Sequence, residues 1–243
     1  MQNIVSLVGG LGNMTAIKSP DKMYYCKFQD NNGQYLWGFL SPSDSRLDDV
    51  LIKQEVSIEQ HQQLLSGGNI VYYDGEVFNA DPNQYYLDDN GDFVKRSDEE
   101  YNQIVADAKK AELVQTLYTM KAQKAYGGVI VNDAFIFETN QTAITNTVAT
   151  LSLMSDTGVS SWKFYTKDGE PVVQTVTKAQ LFAIASFGRQ MIDSSFAVEG
   201  EFLSTLESAT VSDLISENWV KKFVETAQAN FDEIENNITV TFN

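Results

Sequence analysis

The chain has little of the chemistry that most catalytic and metal-binding sites use. Its 243 residues include one cysteine, Cys26, and one histidine, His61. A single cysteine excludes an internal disulfide, and with a single histidine it excludes zinc sites built from four such ligands. A Ser-His-Asp triad would have to use His61, which lies in the glutamine-rich segment IEQHQQLL without a nucleophile motif. We therefore predict a solvated helical histidine and no catalytic, metal-binding or cofactor-binding residue, so chelation or Cys26→Ser should leave melting almost unchanged.

Long apolar runs and basic residues are also scarce. No stretch approaches the roughly 18 apolar residues of a membrane span, and the N-terminal MQNIVSLVGGLGNM has no basic leader. The 33 acidic and 17 basic residues give a net charge of −16, which is the wrong sign for a nucleic-acid partner. We expect neither a membrane span nor nucleic-acid binding, and a chain that stays in the cytosol or leaves it by lysis. The acidity is expected to serve solubility, with cation-dependent assembly as the alternative.

What is present is enough apolar material for a core and clear local structure signals. Hydrophobic residues make up 43% of the chain. The organising stretch runs from Ser97 to Thr139: Ser97 and Glu100 form a capping box, and Gly127-Gly128 ends a helix of about eight turns. Two short strands around Asn132-Asp133 follow as a hairpin. These signals predict an α+β protein, with a β-rich N-terminal module linked to a mainly helical C-terminal domain with small hairpins.

The N-terminal half reads as strands and turns. Residues 1–20, with the strand-like Ile4 to Val8, are predicted to be a docking arm. Residues 21–96 are predicted to be a β-rich module of hairpins with one short helix, which a capping box of Ser57 and Gln60 opens. The polar stretch 79–96 is predicted to be a loop-like linker where proteases cut first. Within it, Asp88 to Asp92 has closely spaced carboxylates and a glycine, but it lacks the spacing of an EF-hand, so we favour an acidic turn over a calcium site.

The C-terminal half is predicted to hold a helical domain with hairpins over residues 97–216. Apolar residues at helical spacing predict a helix from Gln141 to Ser155, with Val148 on its apolar face. The strand VSSWKFY places Trp162 and Phe164 on one face, where core packing is favoured over a ligand platform. A further capping box, Thr177 and Gln180, opens the longest apolar helix.

Residues 217–243 are predicted to be a separate C-terminal helix and strand-like tail. Ser212 is the predicted N-cap of this last helix. The terminal NITVTFN alternates with period two and reads as a strand that needs an edge to pair with, either in its own chain or in another.

Two parts of this layout resemble bacteriophage tail proteins. The segment VSIEQHQQLLSGGNIVYYDGEVF, Val56 to Phe78, resembles the helix and glycine-rich hairpin of N-terminal modules in tail-fibre and tail-fibre-assembly proteins. Residues 101–214 resemble a phage-encoded domain of unknown function. The features that carry this resemblance are the Gly127-Gly128 break, FETNQ, the aromatic strand with Trp162, a Lys-Asp-Gly turn and TKAQLFAIA. Residues 1–20 and the region after Ser212 match no module of this kind.

The resemblance implies a non-enzymatic structural component of the virion, in the tail or baseplate, working as an adaptor or tail-fibre-associated subunit. Its partners would be other tail or fibre proteins and further copies of itself, after assembly in the host cytoplasm; no residue supports a host receptor as a partner. An assembly chaperone that leaves the fibre is the alternative. A glycan hydrolase would need two carboxylates about 5 to 9.5 Å apart, and none of the 33 acidic residues is singled out for that role.

Overall fold

The computed structural model describes residues 21–242 and confirms the α+β class. The predicted docking arm, residues 1–20, lies outside the described residues. The chain forms two compact units that divide between Tyr101 and Asn102, in the first turns of the helix that follows the module. The predicted division lay earlier, within residues 79–96.

The first unit is built on a three-stranded antiparallel sheet in the order β2-β1-β3. Its core is apolar and includes Tyr25, Cys26 and Val56. A short helix and two separate hairpins follow the sheet. The elements of the unit are β1 Lys22–Gln29, β2 Tyr35–Leu40, a 3-10 helix Ser45–Asp48, β3 Ile52–Ser57, α1 Ile58–Gly67, β4 Ile70–Tyr73, β5 Glu76–Asn79, β6 Tyr85–Leu87 and β7 Phe93–Lys95.

The region predicted to be a loop-like linker is instead folded. Strands β6 and β7 pair as an antiparallel hairpin, and Gly91 takes a positive φ of 70° in its turn. The Trp37 indole N–H donates to the Gly91 carbonyl at 2.8 Å, and the buried Lys27 ammonium contacts the Asp92 carboxylate at 2.6 Å. The linker prediction was wrong because these partners lie far away in the sequence, so local polarity could not reveal them.

The second unit combines long helices with a five-stranded sheet in the order β11-β10-β9-β8-β12. Helix α2 has the predicted capping box, since Ser97 accepts from the Glu100 N–H and Glu100 accepts from the Ser97 N–H. The elements are α2 Asp98–Tyr126, β8 Val129–Val131, β9 Phe135–Phe137, α3 Gln141–Leu153, β10 Val159–Thr166, β11 Pro171–Thr177, α4 Lys178–Ser208, α5 Val211–Ile215, α6 Glu217–Glu233 and β12 Asn237–Ile238.

The C-terminal helix belongs to the helical core and is not a separate segment. Phe223 and Phe231 of α6 pack in one buried cluster with Leu113 and Leu117 of α2 and with Leu206 of α4. Thr210 caps α5 and Ser216 caps α6, so the predicted cap Ser212 lies inside α5. A single apolar cluster therefore joins the predicted segments 97–216 and 217–243.

The terminal strand pairs within its own chain. β12 runs parallel to β8, with Asn237 opposite Ile130 and Ile238 opposite Val131. Beyond it, the Asn132 side chain accepts from the Val240 N–H at 2.6 Å and donates to the Val240 carbonyl at 2.7 Å. The pairing within the chain that the sequence left open is therefore present on one side of β12, and its other side is an end of the sheet.

Within residues 21–242, no helix combines the length and the apolar character that crossing a bilayer requires.

Candidate functional site

Helix α3 presents an uncharged surface. Its thirteen residues include no acidic or basic side chain, and Asn140 caps it by accepting from the Ala143 N–H at 2.9 Å. The hydroxyls of Thr145, Thr147 and Ser152 donate to backbone carbonyls of the same helix. Because these three hydroxyls are already satisfied, the helix offers its apolar side chains together with the uncharged polar groups of Gln141, Thr142 and Asn146.

Two adjoining depressions lie between α3 and α4, and we call them together the α3–α4 groove. The deeper one has a volume of about 240 Å³, and the shallower one, open to solvent, about 490 Å³. Val148 and Leu151 line both. The floor of the deeper part consists of apolar side chains and a helix backbone, from Phe137, Ile144, Leu151, Ala185, Gly188 and Ile192.

Two apolar side chains at the mouth of the groove remain in contact with solvent. Val148 of α3 and Phe182 of α4 are each 62% exposed. The sequence pattern correctly placed Val148 in a helix, on its apolar face, but it did not indicate that this residue is exposed. Exposed apolar groups around an apolar depression are a common property of protein-binding surfaces.

Gly188 allows α4 to pack closely under this groove. A Cβ atom at this position would lie 3.2 Å from Thr139 Cγ2 and 3.3 Å from Val129 Cγ2, closer than an ordinary contact. Thr139 is itself held in place, because its buried hydroxyl donates to the Ala125 carbonyl at 2.8 Å. The groove therefore has a rigid base formed by α4 and the β8–β9 hairpin.

The charged groups at the rim neutralise one another. Lys178 contacts Asp156 at 3.0 Å, and Arg189 contacts Asp193 at 2.8 Å. Both pairs are largely exposed, so each contributes little to stability. Their consequence is local: in a chain with a net charge of −16, the groove is bordered by balanced charge.

The two aromatic residues of β10 have different surroundings. Phe164 is fully buried, which confirms core packing for this residue. Trp162 stacks on Phe137 at a centroid distance of 6.0 Å, and another side of it lines an open polar depression of about 630 Å³ with Glu138 and Lys163. The Trp162 side chain therefore contacts the core on one side and solvent on the other.

The other groups considered from the sequence belong to the first unit. His61 lies in helix α1, as predicted, but it is half-buried and packs edge-on against Phe39 at 4.4 Å, so it is less solvated than expected. Burial raises the pKa of the Cys26 thiol. Asp88 accepts the backbone N–H groups of Asp92 and Asn90, and the hydrogen bond from Asp92 is the main cause of its lowered pKa. This confirms an acidic turn, and no group of three or more metal-ligating side chains is found in residues 21–242.

The second unit also contains a buried ion pair that no local sequence pattern predicts. Lys121 of α2 and Glu199 of α4 are 4% and 6% exposed, and their charged atoms are 3.0 Å apart. The ammonium also lies 3.7 Å from the Tyr118 ring centroid and 4.6 Å from that of Phe196. The two charged atoms are close, but the angle between them does not meet hydrogen-bond geometry. Glu199 Oε1 therefore has no hydrogen-bond donor among the described residues.

Comparison of the chain with models of protein families, with curated proteins and with solved structures finds no match.

Proposed function

We propose that the protein is a non-enzymatic structural component of a bacteriophage tail or baseplate, an adaptor or tail-fibre-associated subunit that works by protein–protein assembly. The sequence resemblance of residues 56–78 and 101–214 supports the phage assignment. The observation that carries the assembly role is the α3–α4 groove, with Val148 and Phe182 exposed beside an apolar depression.

The groove suits an amphipathic helix of another tail or fibre protein. Its length follows α3, its walls are apolar, and its rim cations are already paired with Asp156 and Asp193. A helix that lays an apolar face into such a groove needs no new ion pair. The deeper part, at about 240 Å³, has room for one large apolar side chain of that helix. Burying such a side chain contributes roughly 1.5–3 kcal/mol, as expected for an anchor of an interface.

Mass spectrometry of purified particles tests the structural role. In a phage that carries this gene, the protein should be present in a constant ratio to other tail proteins after particles are purified. Abundance in the lysate together with absence from particles would refute the structural role and support the assembly chaperone.

Substitutions in the groove test whether this surface is responsible. Val148→Asp and Phe182→Asp place a charge where the partner helix would bury apolar groups, and each should reduce incorporation by about tenfold or more. Leu65→Asp is the matched control, because Leu65 is a helical residue, 59% exposed, in the other unit. Normal folding of all three variants by circular dichroism, with equal incorporation, would exclude the groove as the assembly surface.

A further inference from the structure

Strand β11 is a terminal strand of the five-stranded sheet. It spans Pro171–Thr177, with the sequence PVVQTVT, and pairs on one side with β10. Among residues 21–242, no strand pairs with its other side. The opposite end of the sheet is the two-residue β12, so β11 is the longer of the two edges.

The register shows which backbone groups of β11 face outward. The Thr166 N–H donates to the Glu170 carbonyl at one end of the β10–β11 ladder, and the Lys178 N–H donates to the Gly158 carbonyl at the other. Hydrogen-bonded pairs recur at every second residue of an antiparallel ladder. The even-numbered residues of β11 therefore bond to β10.

The odd-numbered residues direct their N–H and C=O groups away from β10. Val173 and Thr175 each present a donor and an acceptor there, whereas Pro171 has only a carbonyl to offer. The Thr177 N–H is already bonded to the Gln180 side chain, at 2.7 Å. The available edge is thus short and sharply bounded, with two complete residues at its centre.

This edge lacks the features that usually prevent strand addition. β11 contains no charged residue, and its proline is the first residue, so it does not interrupt the strand. Val173 is 65% exposed on the outer face, opposite Lys163 of β10. In a chain of net charge −16, this is a place where two copies can approach without opposing carboxylates.

We propose that β11 pairs antiparallel with β11 of a second copy of this chain, around a two-fold axis at Gln174. Val173 of each copy then lies opposite Thr175 of the other. Each of these two pairs exchanges two hydrogen bonds, so the contact has about four in all. At each end, Glu170 of one copy comes opposite Lys178 of the other, but because Lys178 is already paired with Asp156, this contact adds little attraction.

The pairing joins two five-stranded sheets into one continuous sheet. It satisfies the outward N–H and C=O groups of the edge with partners of the same kind. The proposal deepens the proposed assembly function by naming a surface and a partner. The test measures pairing in the purified full-length protein. Its result is independent of whether the protein is present in phage particles, so the two proposals can fail separately.

Sedimentation and native mass spectrometry of the full-length chain should show concentration-dependent dimers. Thr175→Pro removes an outward N–H without removing a bond to β10, and in a dimer it deletes two of the four hydrogen bonds. Self-association should weaken by about tenfold or more. Because proline can also disturb a strand, Thr175→Lys serves as a second variant.

The matched control is Ser161→Lys. Ser161 lies opposite Thr175 in the register, is also exposed, and belongs to the interior strand β10. Both variants place a lysine on the same face of the sheet, but only Thr175→Lys should weaken pairing between the two copies. Equal effects of the two lysines would overturn the proposal, and so would a wild-type protein that stays monomeric at every attainable concentration.

Hydrogen exchange identifies the surface. In the wild-type dimer the Val173 and Thr175 amides should be protected, and dilution to monomer should release them. Strand β2 of the first unit offers another uncharged edge, with the sequence YLWGFL. Dimers in which the β2 amides are protected while those of Val173 and Thr175 exchange freely would overturn the assignment to β11.

Discussion

Lys121 and Glu199 form a buried ion pair, and we predict that replacing Lys121 destabilises the protein more than replacing Glu199. Removing one member of a buried ion pair typically destabilises by about 3–5 kcal/mol, because the other charge stays buried without its partner. Lys121→Met leaves the Glu199 carboxylate, 6% exposed, beside an apolar side chain. We expect the free energy of unfolding of this variant to fall by the full amount, about 3–5 kcal/mol.

Glu199→Gln should cost less. The Lys121 ammonium keeps the Tyr118 and Phe196 rings at 3.7 and 4.6 Å, and each such contact is worth roughly 0.5–2 kcal/mol when it is partly desolvated. The loss should therefore be smaller than that of Lys121→Met by about 1–2 kcal/mol. Replacing both residues, as Lys121→Met with Glu199→Leu, should restore stability to within about 1 kcal/mol of wild type or raise it.

Urea unfolding measures these differences. Trp162 and Trp219 both lie in the second unit, so a Trp37→Phe background makes tryptophan fluorescence report that unit alone. Arg189→Met is the control, since the Arg189–Asp193 pair lies on the same helix α4 and is exposed, and it should cost less than about 0.5 kcal/mol. A loss for Glu199→Gln equal to or greater than that for Lys121→Met would refute the role assigned to the rings.

Three further predictions concern two buried residues of the first unit and two glycines of helix α4. Burial raises the pKa of Tyr25 from 10.0 to about 12, so the folded protein keeps a proton that the unfolded chain loses; stability should fall as the pH rises between these values, and urea unfolding of Tyr25→Phe should show a smaller fall. The structure revises the expectation for Cys26, which is fully buried: Cys26→Ser should destabilise by about 1–3 kcal/mol, more than Cys26→Ala, in thermal melting, and equal melting points would contradict this. In α4, Gly200→Ala meets no atom within 4 Å and should stabilise by roughly 0.5–1 kcal/mol, whereas Gly188→Ala must displace Thr139 and should destabilise; chemical denaturation of both variants checks the opposite signs.

Local signals in the sequence correctly predicted local structure. The capping boxes that begin at Ser57, Ser97 and Thr177 are all present, because each depends on residues only three positions apart. The hairpin turn at Asn132 and Asp133 is also confirmed, with positive φ at both residues. A few neighbouring residues contain all the information that these features need.

Features that depend on distant partners were missed. The β6–β7 hairpin is held by Trp37 and Lys27, which lie 54 and 65 positions from their partners Gly91 and Asp92. The exposure of Val148 depends on where α4 ends up relative to α3. Hydrophobic spacing identifies the apolar face of a helix, but it does not show whether a neighbour covers that face completely.

The same distinction explains why the sequence did not identify β11 as an edge of the sheet. Alternation in NITVTFN shows that the segment can be a strand, but whether a strand lies at an edge depends on sheet order. Asn132, 108 positions before Val240, binds the backbone beyond β12, while the seven-residue β11 ends the sheet at its other side. Deleting residues 238–243 would therefore remove the core side chain Val240 and report on folding. Substitution at Thr175 changes the edge that we propose for pairing and leaves that core intact.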